Sequence, residues 1–225
     1  MNLFLFDIDG TLIRSFGAGQ KAADTAFESV FGIKNVMKDI RTDGLTDPII
    51  LNKMFQKSFA RNYEEEESKL FYDKYLYYLE MELGNLEYVE VLPGVFELLD
   101  TLDKRSDCIL GLGTGNIEEG AWIKLDYAGL NSYFTFGGFG SDSENRKELL
   151  KIGIDKAKRS LRNGYELNSI FVIGDTPLDI INGKAAGAKT IGVATGHYTK
   201  ADLEKYRPDY LLKNLTEVNM LDLPV

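Results

Sequence analysis

The sequence predicts an α/β protein: a doubly wound parallel sheet carrying a helical insertion. Three observations lead there. Short apolar runs closed by Gly or Asp recur along the chain, helical patterns alternate with them from residue 95 onward, and one stretch near the N-terminus breaks the alternation. The length agrees, since 225 residues exceed a typical domain of ~150 by about half.

Residues 3–6 are continuously apolar and run into an Asp/Gly cluster, which reads as a buried strand ending in a tight turn. Residues 15–85 contain no convincing strand and at least three helical segments, so they form the insertion, and residues 1–14 with 86–225 form the core. The first inserted helix carries Ala22, Ala23, Ala26, Phe27 and Val30. The second is expected to start with Asp47 as N-cap and Pro48 at the first helical position, followed by Ile50, Met54 and Phe55. The third places Phe71, Tyr75 and Tyr78 at i, i+4 and i+7, with Tyr72, Leu76 and Leu79 beside them. This aromatic stripe is read as the insertion's packing face rather than a ligand surface, and the Glu64 to Glu67 run as a solvated helix start favoured by the helix dipole.

In the core, helices are expected over residues 95–104, 117–128, 147–161 and 177–186. Strands are expected over 108–112, 133–136, 169–173, 189–193 and 209–212.

Composition narrows the function classes. Hydrophobic residues are 44% and charged residues 27%, as in ordinary globular chains, which excludes disorder and fibrous repeats. The net charge of −9 and the pI near 4.8 have the wrong sign for nucleic acid or anionic membrane as partner. The lone Cys108 forms no intrachain disulfide and reads as a small hydrophobe in a buried strand. The lone His197 leaves nothing for a Cys/His zinc site, so any metal must be held by oxygen. His197 itself reads as an ordinary loop residue. The apolar start lacks a basic n-region and no later run reaches the ~18 residues of a membrane span, so the cytosol is the expected location.

Four strand ends carry chemistry. Asp7 and Asp9 in Asp7-Ile8-Asp9-Gly10-Thr11 project to one side of an extended chain, and Gly10 allows a turn where a ligand approaches. Two adjacent acids are costly unless a cation neutralises them, and a hard divalent ion such as Mg²⁺ is the natural one. Gly174-Asp175 again ends a strand, where open α/β sheets bind ligands. Asp175 is a candidate metal ligand or the N-cap of the next helix; Asp179 is a further ligand or an acid that orients the others. Thr114, Gly115 and Asn116 open another helix, whose free N–H groups suit a phosphate. Finally, residues 146–162 hold seven basic side chains, the last being Arg162, against two acidic ones; a cation near the helix start, Arg146 or Lys147, can reach a phosphoryl oxygen.

The order Asp7-x-Asp9-Gly-Thr, Thr114, a basic residue near 146, then Gly174-Asp175-x-x-x-Asp179 resembles the haloacid dehalogenase-like superfamily of phosphohydrolases. Leu92-Pro93-Gly94-Val95, Thr114-Gly115-Asn116 and residues 137–149 resemble its phosphoglycolate phosphatase-like branch. The resemblance implies a Rossmann-like core and a small α-helical cap over residues 15–85, with Gly44, Leu45 and Thr46 in the cap loop that closes over substrate. It implies Asp7 as nucleophile, Asp9 as acid and base, and Mg²⁺ held by Asp7, the Asp9 carbonyl and Asp175. Thr114 and one cation, with the branch's pattern favouring Arg146 over Lys147, would bind phosphoryl oxygens.

Asp9 disfavours dehalogenation, because the dehalogenases lack an acid there. Leu45 stands where cap loops of this branch often carry a basic or polar residue, which leaves the particular ester open. The expectation is a phosphatase acting on a small phosphorylated metabolite, phosphoglycolate-like or a sugar phosphate, as a monomer or weak homodimer. The competing readings are a phosphomutase of the β-phosphoglucomutase kind and a non-catalytic phosphate-binding protein.

Overall fold

The structure, a computed structural model, describes residues 1–86, 89–161 and 166–220. Six parallel strands form the main sheet: β1 (Asn2–Phe6), β4 (Cys108–Gly113), β5 (Gly137–Gly138), β6 (Ser169–Gly174), β7 (Lys189–Val193) and β8 (Tyr210–Leu212), in the order β5-β4-β1-β6-β7-β8. Between them run α4 (Val95–Asp103), α5 (Glu118–Tyr127), α6 (Arg146–Ser160), α7 (Pro177–Ala185) and α8 (Lys200–Glu204). A two-stranded antiparallel ladder, β2 (Ile13–Arg14) with β3 (Glu90–Val91), stands apart, and α1 (Ala18–Phe31), α2 (Asp47–Phe59) and α3 (Glu65–Gly84) lie between its strands in sequence. Arg162 lies outside the described residues.

The central strand shows why its sequence does not alternate. All five residues of β1 are buried, because both faces are covered. Leu3 and Leu5 pack with Leu149, Leu150, Ile154 and Ala157 of α6. Phe4 and Phe6 face the larger cluster, where Phe4 stacks on Phe171 at 4.9 Å and Phe6 meets Phe134 edge-on at 5.9 Å.

The strand expected at residues 133–136 is displaced. Residues Asn131–Tyr133 form a 3-10 turn, and β5 is the glycine pair Gly137–Gly138, paired with Leu112 and Gly113. The apolar signal came from Phe134, which is buried against Phe6 without being in a strand. The pair must be small because α6 crosses almost in contact: a Cβ on Gly138 would stand 1.8 Å from the Leu149 carbonyl oxygen. Cys108 is likewise only half-buried, at the entrance to β4 rather than inside it.

The insertion packs through aromatic side chains. Phe27 of α1 contacts Phe55 of α2 at 5.4 Å and Phe71 of α3 at 6.3 Å. The buried positions of α3 are Phe71, Tyr75, Leu79 and Leu83, so the stripe runs at i+4 intervals and Tyr78 is only partly buried. Glu64 caps α3 through a reciprocal bond with Glu67, which also holds Arg61 at 2.6 Å. The N-cap of α2 is Thr46, not Asp47. Asp47 faces the core instead: its carboxylate accepts from the Ile117 N–H at 2.8 Å, and its own N–H donates to the Gly115 carbonyl at 2.8 Å.

Gly138→Ala is expected to destabilise the chain by about 3 kcal/mol, since backbone cannot yield as a side chain does. Gly129→Ala, where φ is positive but the space around a Cβ is open, should cost about 1 kcal/mol. Urea denaturation midpoints of the two variants check the order.

Candidate active site

The carboxyl ends of β1, β4 and β6 converge, and the first turn of α6 meets them. Asp7 extends β1 by one ladder bond, its N–H donating to the Ile173 carbonyl at 2.9 Å. The chain then turns at Gly10, with φ of 82°, which brings Asp9 and Thr11 back toward the sheet end. Thr11 donates to Asp175 at 3.3 Å, which joins the first strand's loop to the third's.

Carboxylate oxygens of Asp7, Asp175 and Asp179 lie within 4.8 Å of one another, and all three side chains are buried. Against three acids stands one guanidinium: Arg146 Nη2 is 3.2 Å from Asp7 and 2.5 Å from Asp179. Burial pushes the Asp7 carboxyl up to about 6, with Arg146 pulling the other way, and burial raises Asp175 well above its usual range. The donor set is wholly oxygen and holds more negative charge than Arg146 balances. It also leaves no room beside it, since a Cβ on Gly10 or Gly196 would run into the Asp175 carboxylate. Such a set fits a hard divalent cation.

Asp9 stands apart from this cluster. Its carboxylate accepts from Lys124 Nζ at 2.6 Å, from Asn116 Nδ2 at 2.9 Å and from Ser15 at 3.4 Å. Burial opposes its ionisation, yet Lys124, Asn116 and Ser15 together hold its carboxyl below the usual range. Asn116 also donates to Thr114 Oγ1 at 2.8 Å and accepts from Lys124 at 2.6 Å, so its side chain is fully engaged. The groups left facing the cleft are the Thr114 hydroxyl proton and the Gly115 N–H, which makes no hydrogen bond among the described residues.

Lys124 is the residue that sequence reasoning missed. Its side chain is 6% exposed, on the α5 face that also carries Gly120, Ala121 and Leu125. A lone charge within an apolar helical stripe was the available signal.

The structure separates the two basic candidates. Asn145 caps α6 by accepting from the N–H groups of Lys147 and Glu148, so the helix starts at Arg146, one residue before the expected start. Arg146 then points inward with its side chain 5% exposed. Lys147 points outward, 40% exposed with Glu148 at 3.8 Å, and does not reach the acids. Asp175 is not an N-cap either. That position is Thr176, whose hydroxyl donates to Asp179 Oδ2 at 2.6 Å within a capping box, so Asp179 fixes both the start of α7 and the Arg146 guanidinium.

The insertion closes the site from above. Arg146 Nη1 donates to the Gly44 carbonyl at 3.1 Å, and Thr46 Oγ1 donates to the Glu144 carbonyl at 3.1 Å. Leu45 passes so near Gly115 that a Cβ there would stand 2.3 Å from the Leu45 carbonyl oxygen. The enclosed chamber measures about 470 Å³ and includes Asp7, Asp9, Thr114 and Arg146 below and Leu45, Tyr72 and Tyr75 above. The aromatic stripe read as packing alone therefore also presents two phenols to the chamber. His197, its side chain 83% exposed, stands at the rim 2.6 Å from Asp43. No helix among the described residues is long and apolar enough to cross a membrane.

The family model described as haloacid dehalogenase-like hydrolase matches residues 4–193. The pyrophosphatase PpaX of Bacillus pumilus is 26% identical over 97% of this chain and 94% of that one. The phosphoglycolate phosphatase of Aquifex aeolicus is 29% identical over 99% and 97%. Among solved structures, a hydrolase from Pseudomonas syringae superposes with a TM-score of 0.74 at 24% identity, covering 99% of this chain and 98% of its own. With the acids at the strand ends, the α/β sheet and a family match over most of its length, this chain is an enzyme of the haloacid dehalogenase-like hydrolase family.

Proposed function

We propose that the chain is a cytosolic, Mg²⁺-dependent phosphatase that hydrolyses a small phosphate monoester through an aspartyl-phosphate, with residues 15–85 acting as a cap over the core. The observation that carries this reading is Asp7, buried at the chamber floor within reach of Arg146, with a second acid, Asp9, held separately beside it.

The Asp7 carboxylate attacks phosphorus and the bond to the alcohol oxygen breaks, leaving an acyl phosphate. Asp9 gives a proton to the departing alkoxide, then takes one from the water that hydrolyses the acyl phosphate, which restores Asp7 and frees inorganic phosphate. The Thr114 hydroxyl, the Gly115 N–H and the Arg146 guanidinium bind the phosphoryl oxygens, fixed in place before charge develops. Asp7, Asp175 and the Asp9 carbonyl would hold the Mg²⁺, which offsets charge on the phosphoryl group. Asp179 holds Arg146 in position through the 2.5 Å contact. Lys124 and Asn116 fix the direction in which the Asp9 carboxyl points.

Purified protein with Mg²⁺ is expected to release inorganic phosphate from an aryl phosphate. Asp7→Asn should lower kcat by about 10⁴-fold or more, as loss of a nucleophile does. EDTA should abolish turnover and added Mg²⁺ restore it. Inactivity of the wild type across a panel of phosphorylated metabolites, or isomerisation of hexose phosphates without release, overturns the reading.

Arg146→Ala and Lys147→Ala form a second test. The first should cost about 10²- to 10³-fold in kcat/KM, the usual loss for one charge-stabilising donor, and the second less than about twofold. Steady-state kinetics on one ester decides between them.

A further inference from the structure

The two ends of the chamber differ in chemistry. Its floor is the acid cluster, while its upper wall, supplied by the insertion, is built from Ala23, Met37, Leu51 and Phe71 with the phenols Tyr72 and Tyr75. The volume of about 470 Å³ lies within the range of pockets that enclose most of a small organic ligand. An alcohol of two carbons would leave most of that wall in contact with water.

Charge is distributed so that a second anion finds no partner. Three cations line the chamber among the described residues, and each is engaged: Arg14 with Glu90 at 2.7 Å, Lys124 with Asp9 at 2.6 Å, and Arg146 with Asp7 and Asp179. Arg41, on the neighbouring loop, is exposed and is not part of the lining. Facing them are Asp43, paired with His197, and Asp47, whose carboxylate is bonded to the Ile117 N–H and to no cation. A carboxylate or second phosphate on the leaving group would be stripped of water beside Asp47 and Asp9 with nothing to neutralise it.

Neutral partners are in place instead. The Tyr72 hydroxyl is buried and has no hydrogen-bond partner, and the Tyr75 hydroxyl makes no hydrogen bond among the described residues. Burial, and after it the Asp47 charge, raises both phenols above their usual range, so they stay neutral donors. A buried hydroxyl without a partner is costly, and an oxygen on a bound ligand is the group that removes the cost.

We infer that the substrate is the phosphate monoester of an uncharged, ring-sized alcohol, seated with its apolar surface against Leu51 and Phe71 and an oxygen within reach of Tyr72. This rests on the phosphatase reading for the phosphate end of the ligand. It sets the chain apart from its relatives named for pyrophosphate and phosphoglycolate, both of which carry a second anion on the leaving group.

The test is a matched pair. Phenyl phosphate and neutral hexose phosphates should show kcat/KM at least tenfold above 4-carboxyphenyl phosphate, phosphoglycolate and pyrophosphate. Asp47→Asn should narrow the ratio between phenyl and 4-carboxyphenyl phosphate, and Tyr72→Phe should raise KM for the hexose phosphates more than for phenyl phosphate. Equal or reversed preference overturns the inference.

Binding keeps the inference testable without turnover. Calorimetry with Mg²⁺ should show benzylphosphonate bound at least tenfold more tightly than 4-carboxybenzylphosphonate. Equal affinity, reversed affinity or no binding of either overturns the substrate class. Phosphonate binding of the expected order with no ester hydrolysed overturns the phosphatase reading alone.

Discussion

Arg146 brings one positive charge to a buried volume that three carboxylates share, and the surrounding structure is arranged to keep it there. The guanidinium touches Asp7, Asp179 and the carbonyl of Gly44, one partner on the first strand's end, one on α7 and one on the insertion. Each contact is set by a different local rule. Asn145 caps α6 and so starts the helix at Arg146; Asp179 is shared with the capping box of α7; Gly44 belongs to a loop pressed against the core near Gly115. A buried cation without these partners would be far less stable than one in water. The ordering of three separate segments follows from placing one charge.

Much of the fold was legible, and the reason differs by element. β1, β6 and β7 are buried, apolar and bounded by Gly or Asp, so composition alone finds them. β5 was not legible: two glycines carry no hydrophobic signal, and they form a strand only because α6 crosses too near for any side chain. A requirement for close approach is a property of two distant segments, and no window of sequence contains it.

The site divides in the same way. Asp7, Asp9, Thr114 and Asp175 lie in short motifs at strand ends, where topology alone brings them together. Lys124 belongs to no motif, and its place beside Asp9 depends on how α5 rotates against the sheet. The roles of Asp47 and the tyrosines were hidden for a related reason. Asp47 at a helix start reads locally as a cap, yet its carboxylate serves another helix, because the insertion brings α2 against the start of α5. Periodicity identifies which face of α3 is buried, but not that part of that face borders a cavity.

The β2–β3 ladder has a mechanical meaning. It joins the two places where the chain enters and leaves the insertion, pairing Ile13 with Val91 and Arg14 with Glu90, and the Arg14–Glu90 ion pair reinforces it. Two crossings fastened together act as a clasp rather than as two independent tethers. Any displacement of the insertion that keeps the clasp intact is a rotation about it, and the other bonds to the core, from Gly44, Thr46 and Asp47, lie on the swinging side. The moving part then has one principal degree of freedom, and the contact that stops its swing is made by Arg146, the same guanidinium that faces Asp7.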